Sequence, residues 1–159
     1  DDNTFYVYGT AWIGQTFTPA VTHIITSVKL LLYRSGLPGT LDVVIKATDA
    51  NGKPTGDDLC SGTTNGDTLT TNTTGEWREI TLGAGVALSA GIKYAIILKA
   101  LSGTNLKLVY WRKDATAPIY AGGQAVSTPD SGSTWSTYAH YMMFEDWGDA
   151  AFIPKIFIV

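Results

Sequence analysis

One cysteine, two methionines and two histidines are all that the 159-residue chain holds of the side chains most used in redox and metal chemistry. Cys60 stands alone, so no disulfide closes within the chain. Nothing basic flanks it to stabilise a thiolate, and a small buried apolar residue is the expected role. His23 and His140 lack metal-ligand spacing and suit structural positions at strand ends. Charge is sparse as well: 16% of residues are Asp, Glu, Lys or Arg, and the net charge is −3. The Lys and Arg are scattered, with no positive stripe to neutralise phosphates, which argues against a nucleic-acid partner or an anionic lipid surface. No apolar run reaches the roughly 18 residues of a membrane-spanning helix. The longest candidate, the terminal AFIPKIFIV, is shorter and contains Pro154 and Lys155. The chain opens at Asp1 with neither a methionine nor a signal peptide, and a processed mature protein or an excised domain is expected.

What is present in quantity is apolar and aromatic side chains, 45% and 11% of the residues, enough to bury the core of one folded domain. Their spacing is two, not 3.6, from one end to the other. In HIITSVKLLLYR, Val28, Leu30 and Leu32 share one face, and Ser27, Lys29, Leu31 and Tyr33 share the other. The break SGLPGT turns the chain, and Leu41, Val43, Ile45 and Ala47 form the next inward set, so a long hairpin is expected here. TDANGKPTG reads as a turn-rich loop, and Ser61 to Gly75 as a long surface connection with a short strand near Leu69. Within it, Asn72 heads an N-x-T sequon, read as a solvated loop residue. Further strands are expected at WREITL, KYAIILKA, LKLVYWR, GQAVS and YMMFEDW. Some eight to ten short strands must cover each other's apolar faces. The expected fold is therefore all-β: a two-sheet antiparallel β-sandwich, jelly-roll-like, spanning residues 1–150 and followed by an apolar C-terminal strand or tail at 151–159.

Two local patterns carry specific geometry. Leu88, Gly91 and Tyr94 in LSAGIKY have the spacing of a tyrosine corner, in which a buried hydroxyl bonds to upstream backbone where the chain crosses between sheets. Thr128-Pro129-Asp130-Ser131-Gly132-Ser133-Thr134-Trp135 fits an Asp-box turn: Asp130 accepts from turn amides, Gly132 permits positive φ, and Trp135 packs beneath. In sialidases that box is structural and repeats around a propeller. Here it occurs once, and only Arg34, Arg78 and Arg112 are at hand for a carboxylate-binding cluster, which disfavours sialidase chemistry.

GQTFTP, VKLLLYRSGLPGTLDVVIKATDANGKPTG, LSAGIKYAIILKA, YAGGQAVSTPDSGSTW and YMMFEDWG together resemble accessory β-sandwich domains, the choice-of-anchor type among them. Such domains are associated with bacterial and archaeal surface proteins, secreted glycosidases and phage structural proteins. The resemblance covers roughly Trp12 to Gly148 and implies a non-catalytic module in an extracellular, cell-surface or virion setting. The chain departs from that pattern in its end, where Phe152, Ile156, Phe157, Ile158 and Val159 make a strong β-former that needs a cover. Either it returns to its own sheet as an edge strand or is a truncated link to a neighbouring domain, or it adds to a neighbouring subunit and builds an assembly.

No catalytic constellation emerges, and an enzyme is not expected. Glu76 and Glu79 lie three apart in a strand, and Glu145 and Asp146 are neighbours pointing oppositely, so neither couple shares a face for acid/base work. The GAG of Gly83 to Gly85 lacks the strand-to-helix setting of a nucleotide loop. Asp49 with Asn51, or Asp57 with Asp58, are candidates for a structural calcium site, although turns account for them equally well; no other cofactor or metal is indicated. Sugars stack their apolar faces on indole and phenol rings, which makes Trp111, Tyr110, Tyr120 and Trp135 the candidate glycan platform. The expected function is a structural subunit of a cell-surface filament or virion, self-associating through the tail. The alternative is a carbohydrate-binding accessory module with a glycan as partner.

Overall fold

Alternation resolves into twelve strands among the described residues, 2–116 and 120–150 of this computed structural model. In chain order they are β1 (Asn3–Val7), β2 (Trp12–Phe17), β3 (His23–Ser35), β4 (Thr40–Thr48), β5 (Pro54–Asn65), β6 (Glu76–Leu88), β7 (Tyr94–Lys99), β8 (Leu108–Asp114), β9 (Ala125–Thr128), β10 (Ser136–Tyr138), β11 (Tyr141–Met142) and β12 (Phe144–Ala150). All pairings are antiparallel, and they form two sheets packed as a β-sandwich.

The first sheet is built around β3. One of its edges pairs with β6 from His23 to Leu32, while the other is shared: β8 takes Leu32 to Ser35 and β12 takes His23 to Leu30. β1 pairs with the far edge of β8, and β11 with its near end. Thus β11 and β12 fill the fork where β3 and β8 part. Met143 sits at the crotch, its N–H donating to the Arg112 carbonyl at 2.9 Å and its carbonyl accepting from the Leu31 N–H at 3.2 Å. The second sheet runs β10-β9-β2-β7-β4-β5. Between the layers lie Val28, Leu30 and Leu32 of β3, Leu41, Val43 and Ile45 of β4, and Ile96 and Leu98 of β7, all at 0% exposure. These are inward sets that period-two spacing identifies. Each such side chain contributes roughly 1.5–3 kcal/mol through removal from water.

Three expectations are corrected. β3 and β4 do not form a hairpin: SGLPGT carries the chain from the first sheet to the second, where β4 pairs with β5 and β7. Both strands have a buried face, and that face is satisfied as well by opposite layers as by adjacent places in one. The stretch from Pro54 to Asn65 is a strand, not turn and surface connection; its residues are mostly exposed because it is an edge, and its backbone bonds to β4 define it despite little apolar content. Leu69 is in no strand. It follows a short 3-10 turn, Gly66–Thr68, capped by the Asn65 side chain, and is buried to 2%. Asn72 is an exposed turn residue whose Oδ1 accepts from the Thr74 N–H and hydroxyl, each at 3.0 Å.

Gly83 to Gly85 belong to a bulge: residues 82–85 of β6 stand against Thr26 alone, the register resuming at Ile25 with Val86. β6 then leaves the first sheet for β7 in the second through the Leu88–Tyr94 bend. There the Tyr94 hydroxyl accepts from the Ser89 N–H at 3.1 Å, and Leu88 is fully buried, as the tyrosine-corner spacing requires.

Among the described residues one core-facing side chain is charged. Lys113 is 6% exposed, its ammonium 3.7 Å from the centre of the Phe5 ring, and desolvation lowers its pKa, with the nearby Asp2 charge opposing. A base whose folded pKa is depressed holds fewer protons folded than unfolded, so stability rises with pH between the lowered value and the ordinary 10.5. Lys113→Met, which keeps the packing and removes the charge, is expected to raise stability by about 1 kcal/mol at pH 7, the lost cation–π contact being the smaller effect. Urea denaturation of both proteins checks this: the advantage of methionine should shrink as pH approaches 10.5, and a loss of stability at pH 7 would refute the account.

Candidate functional site

A sandwich needs one apolar face per sheet, yet the second sheet has apolar residues on both. On its outer face Val44, Ala95, Ile97 and Val126 form a separate cluster at 0–3% exposure, and the lid that keeps them dry is a pair of indoles, Trp12 and Trp135. Trp12 starts β2 and is held by its Nε1–H, which donates to the Gly9 carbonyl at 2.9 Å. Trp135 arrives from the turn joining β9 to β10. That turn is stabilised locally, as the Asp-box pattern predicts: Asp130 Oδ1 accepts from the Thr134 N–H at 2.8 Å and the Thr128 hydroxyl at 2.7 Å, and Oδ2 accepts from the Thr134 hydroxyl at 2.7 Å. Those bonds, the Thr134 hydroxyl first, hold the Asp130 carboxyl below the usual carboxylate range. Gly132, at φ +92°, lies over both indoles, where an added Cβ would come to 3.4 Å from Trp12 and 3.7 Å from Trp135.

Beside the indoles the sheet is polar. Asp58 of β5 is 3.0 Å from the Lys46 ammonium and 3.5 Å from that of Lys99, and Lys99 also lies 4.7 Å above the Trp12 ring. Lys46 donates in addition to the Gly56 carbonyl at 2.6 Å. Ion pairs of this kind add little stability, but they hold long side chains in place. Between this charged row, the β4–β5 loop and the Asp-box turn lies an open groove of about 700 Å³, lined by both indoles and by hydroxyls of Thr55, Ser131, Ser133 and Thr134. A shallower pocket of about 280 Å³ shares Trp12, Asp58 and Lys99 and continues past them to Asp42, Ser61 and Thr63. The result is a trough across the outer face with apolar rings at one side and paired charges and hydroxyls along the floor and rim.

The four glycan candidates separate. Trp135 lines the groove. Trp111 does not serve as a platform: it is 0% exposed, inside the core, with Nε1–H donating to the Met143 carbonyl at 2.9 Å. Alternation in LKLVYWR puts Tyr110 and Trp111 on opposite faces, and the inner one is the tryptophan. Tyr110 is on the outer face of the first sheet, away from the groove, stacked on Tyr33 with ring centres 4.5 Å apart and planes 11° from parallel. That contact occupies one face of the phenol. Tyr120 is half-buried, edge-on to Tyr141 and Phe144 at 5.4 and 5.7 Å, its hydroxyl accepting from the Thr18 N–H at 3.3 Å; it does not join Trp135 at one loop edge. Trp12 is the partner that sequence reasoning missed. Its signal was its place at the head of WIGQTF, where it shares a face with Gly14 and Thr16; it is the one residue of that strand that is not buried.

Several of the remaining titratable groups have local partners, although the buried His140 Nδ1 has no hydrogen-bond partner among the described residues. His23 lies 3.3 Å from Asp146, and His140 stacks on Tyr138 with planes 8° from parallel. Glu76 binds Arg78 at 2.6 Å, Glu79 accepts from the Ser27 hydroxyl at 3.0 Å, and Glu145 accepts from the Trp147 indole at 2.8 Å. Asp49 closes its own turn by accepting from the N–H groups of Asn51 and Lys53. Among the described residues no three His, Cys, Asp or Glu side chains gather as a metal-binding group. Burial pushes the Cys60 thiol up to about 11, as befits an unreactive packing residue. No helix among the described residues is long and apolar enough to cross a membrane. Phe152, Ile156, Phe157, Ile158 and Val159, the assembly candidates, lie outside the described residues. Compared with known proteins, the chain matches no family model and no curated protein.

Proposed function

We propose that the chain is a non-catalytic carbohydrate-binding module whose site is the groove beneath the Asp-box turn. The observation that carries this reading is the convergence of Trp12 and Trp135 beside the Asp58–Lys46–Lys99 row and the turn hydroxyls. A pyranose ring has a C–H face that stacks on an indole and a belt of hydroxyls that need both donors and acceptors. The groove offers the first at its tryptophans and the second at its lysines, aspartate, serines and threonines. Its open form suits a chain of sugars passing through, and the resemblance to accessory sandwich domains of surface and secreted proteins supports the same role. A subunit role in an extracellular assembly, the other expectation, rests on residues 151–159 and gains no support from the groove.

A glycan array followed by titration calorimetry tests the proposal. Trp135→Ala is expected to weaken binding at least about tenfold, or roughly 1.4 kcal/mol. Trp12→Ala should weaken it less, because Lys99 already covers one face of that ring. Near-UV circular dichroism verifies that each variant is folded, and Trp77→Ala, exposed on the first sheet, should bind as the parent does. An array without a single ligand, or folded Trp135→Ala and Trp12→Ala proteins that bind undiminished, would overturn it.

A further inference from the structure

We infer that the groove selects a sugar carrying a negative charge, the ring on the indoles and the anionic group at Lys53; this rests on the carbohydrate-binding reading above. The chain carries a net −3, which repels a polyanion at long range. The groove reverses that sign, since three lysines, 46, 53 and 99, line it against two aspartates, 49 and 58. Asp58 is shared by Lys46 and Lys99 and offsets only part of their charge. Asp49 turns one oxygen to the N–H groups of Asn51 and Lys53, at 2.8 and 2.9 Å, which fastens it within the loop. The Lys53 ammonium makes no ion pair among the described residues. A second cation stands close by: a Cβ on Gly52, the residue before Lys53, would lie 3.8 Å from the Lys93 ammonium. Stacking and hydroxyl contacts suffice for a neutral sugar. A lysine without a counter-ion on the wall of a groove that already holds two tryptophans adds a charge-assisted bond, which only an anionic ring substituent would use.

Carboxylate and sulfate share this chemistry, so the experiment offers the full chain both: uronate polymers with free acids or as methyl esters, and sulfated polymers with their desulfated forms. Each pair holds the sugar constant and changes only the charge. Titration calorimetry is expected to give about tenfold tighter binding to the charged member of at least one pair, weakening with salt. The pair that responds identifies the anionic group. Lys53→Gln should abolish most of that preference, lowering affinity for the charged member about tenfold and for the uncharged member by a much smaller factor, and Lys107→Gln, exposed just before β8, should alter neither. Equal affinity within both pairs, or a preference that survives Lys53→Gln, overturns the inference and leaves the carbohydrate reading standing. Binding only to neutral glycans on the array does the same. Absence of binding to any glycan removes both readings together.

Discussion

Replacing Trp111 with alanine is expected to cost about 3–5 kcal/mol of folding stability, the largest effect of any single substitution considered for this protein. Trp111 is fully buried in β8, with Phe5 of β1 opposite it on one side and Leu32 of β3 on the other. It therefore ties the first sheet's edge strand to its centre. Its indole N–H also reaches the Met143 carbonyl at the fork, the point at which β12 is admitted between β3 and β8. Alanine leaves a cavity that three strands cannot close without giving up register, and removes one of the two donors to that carbonyl. Against a total of about 5–15 kcal/mol for a domain of this size, such a loss lowers the melting temperature by about 10 °C or more. Urea denaturation measures it directly. A loss below about 1 kcal/mol would mean that Trp111 is not the central packing residue of its sheet. Glycan affinity of the folded fraction should be unchanged, which separates this core tryptophan from Trp135.

The second large effect is expected at Gly62, for the opposite reason. β5 ends the second sheet, and Gly62, paired with Val43 of β4, brings it against β6 of the first. A Cβ there would lie 1.9 Å from the Thr81 carbonyl oxygen and 2.9 Å from its carbon. Both are backbone atoms, so no side-chain rotation relieves the overlap, and two strands must move apart. Gly62→Ala is accordingly expected to destabilise by about 2–3 kcal/mol, the upper part of the range for overpacking. The neighbouring Ser61→Ala should stay within about 0.5 kcal/mol, as surface substitutions do. Equal stabilities of the two variants would show that the sheets do not meet at this edge.

The proposed site divides in the same way between local and distant causes. The Asp-box turn was legible from Thr128 to Trp135, because its side-chain bonds join residues two to four apart; one backbone bond, from the Ser131 N–H to the Thr10 carbonyl at 2.9 Å, ties it to the rest of the chain. The tyrosine corner was legible on the same ground, its bond spanning only Ser89 to Tyr94. Inward sets on β3, β4 and β7 followed from alternation alone. The groove was not legible. Trp12 and Trp135 meet only because β2 pairs with β9, whose turn then folds back over β2 and β7. Lys46, Asp58 and Lys99 meet because β4, β5 and β7 are neighbours in one sheet. Nor did alternation indicate that the second sheet is apolar on both faces, since Val44, Ala95, Ile97 and Val126 come from three different strands and form a cluster only when those strands pair.

From its residues alone, this chain is determined to be all-β, to bury Val28, Leu30, Leu32, Leu41, Val43 and Ile45, and to turn at Gly91 and Gly132. Those properties depend on side-chain period and on hydrogen bonds that close within a few residues. Tertiary structure decided the rest: which of two adjacent rings, Tyr110 or Trp111, faces inward, whether β3 and β4 pair or part, that polar β5 is a strand, and that two tryptophans distant in sequence cover one groove. A strand's period names its two faces but not its neighbours. Pairing is settled by how all the strands jointly satisfy backbone hydrogen bonds and exclude water, a condition that no single segment expresses.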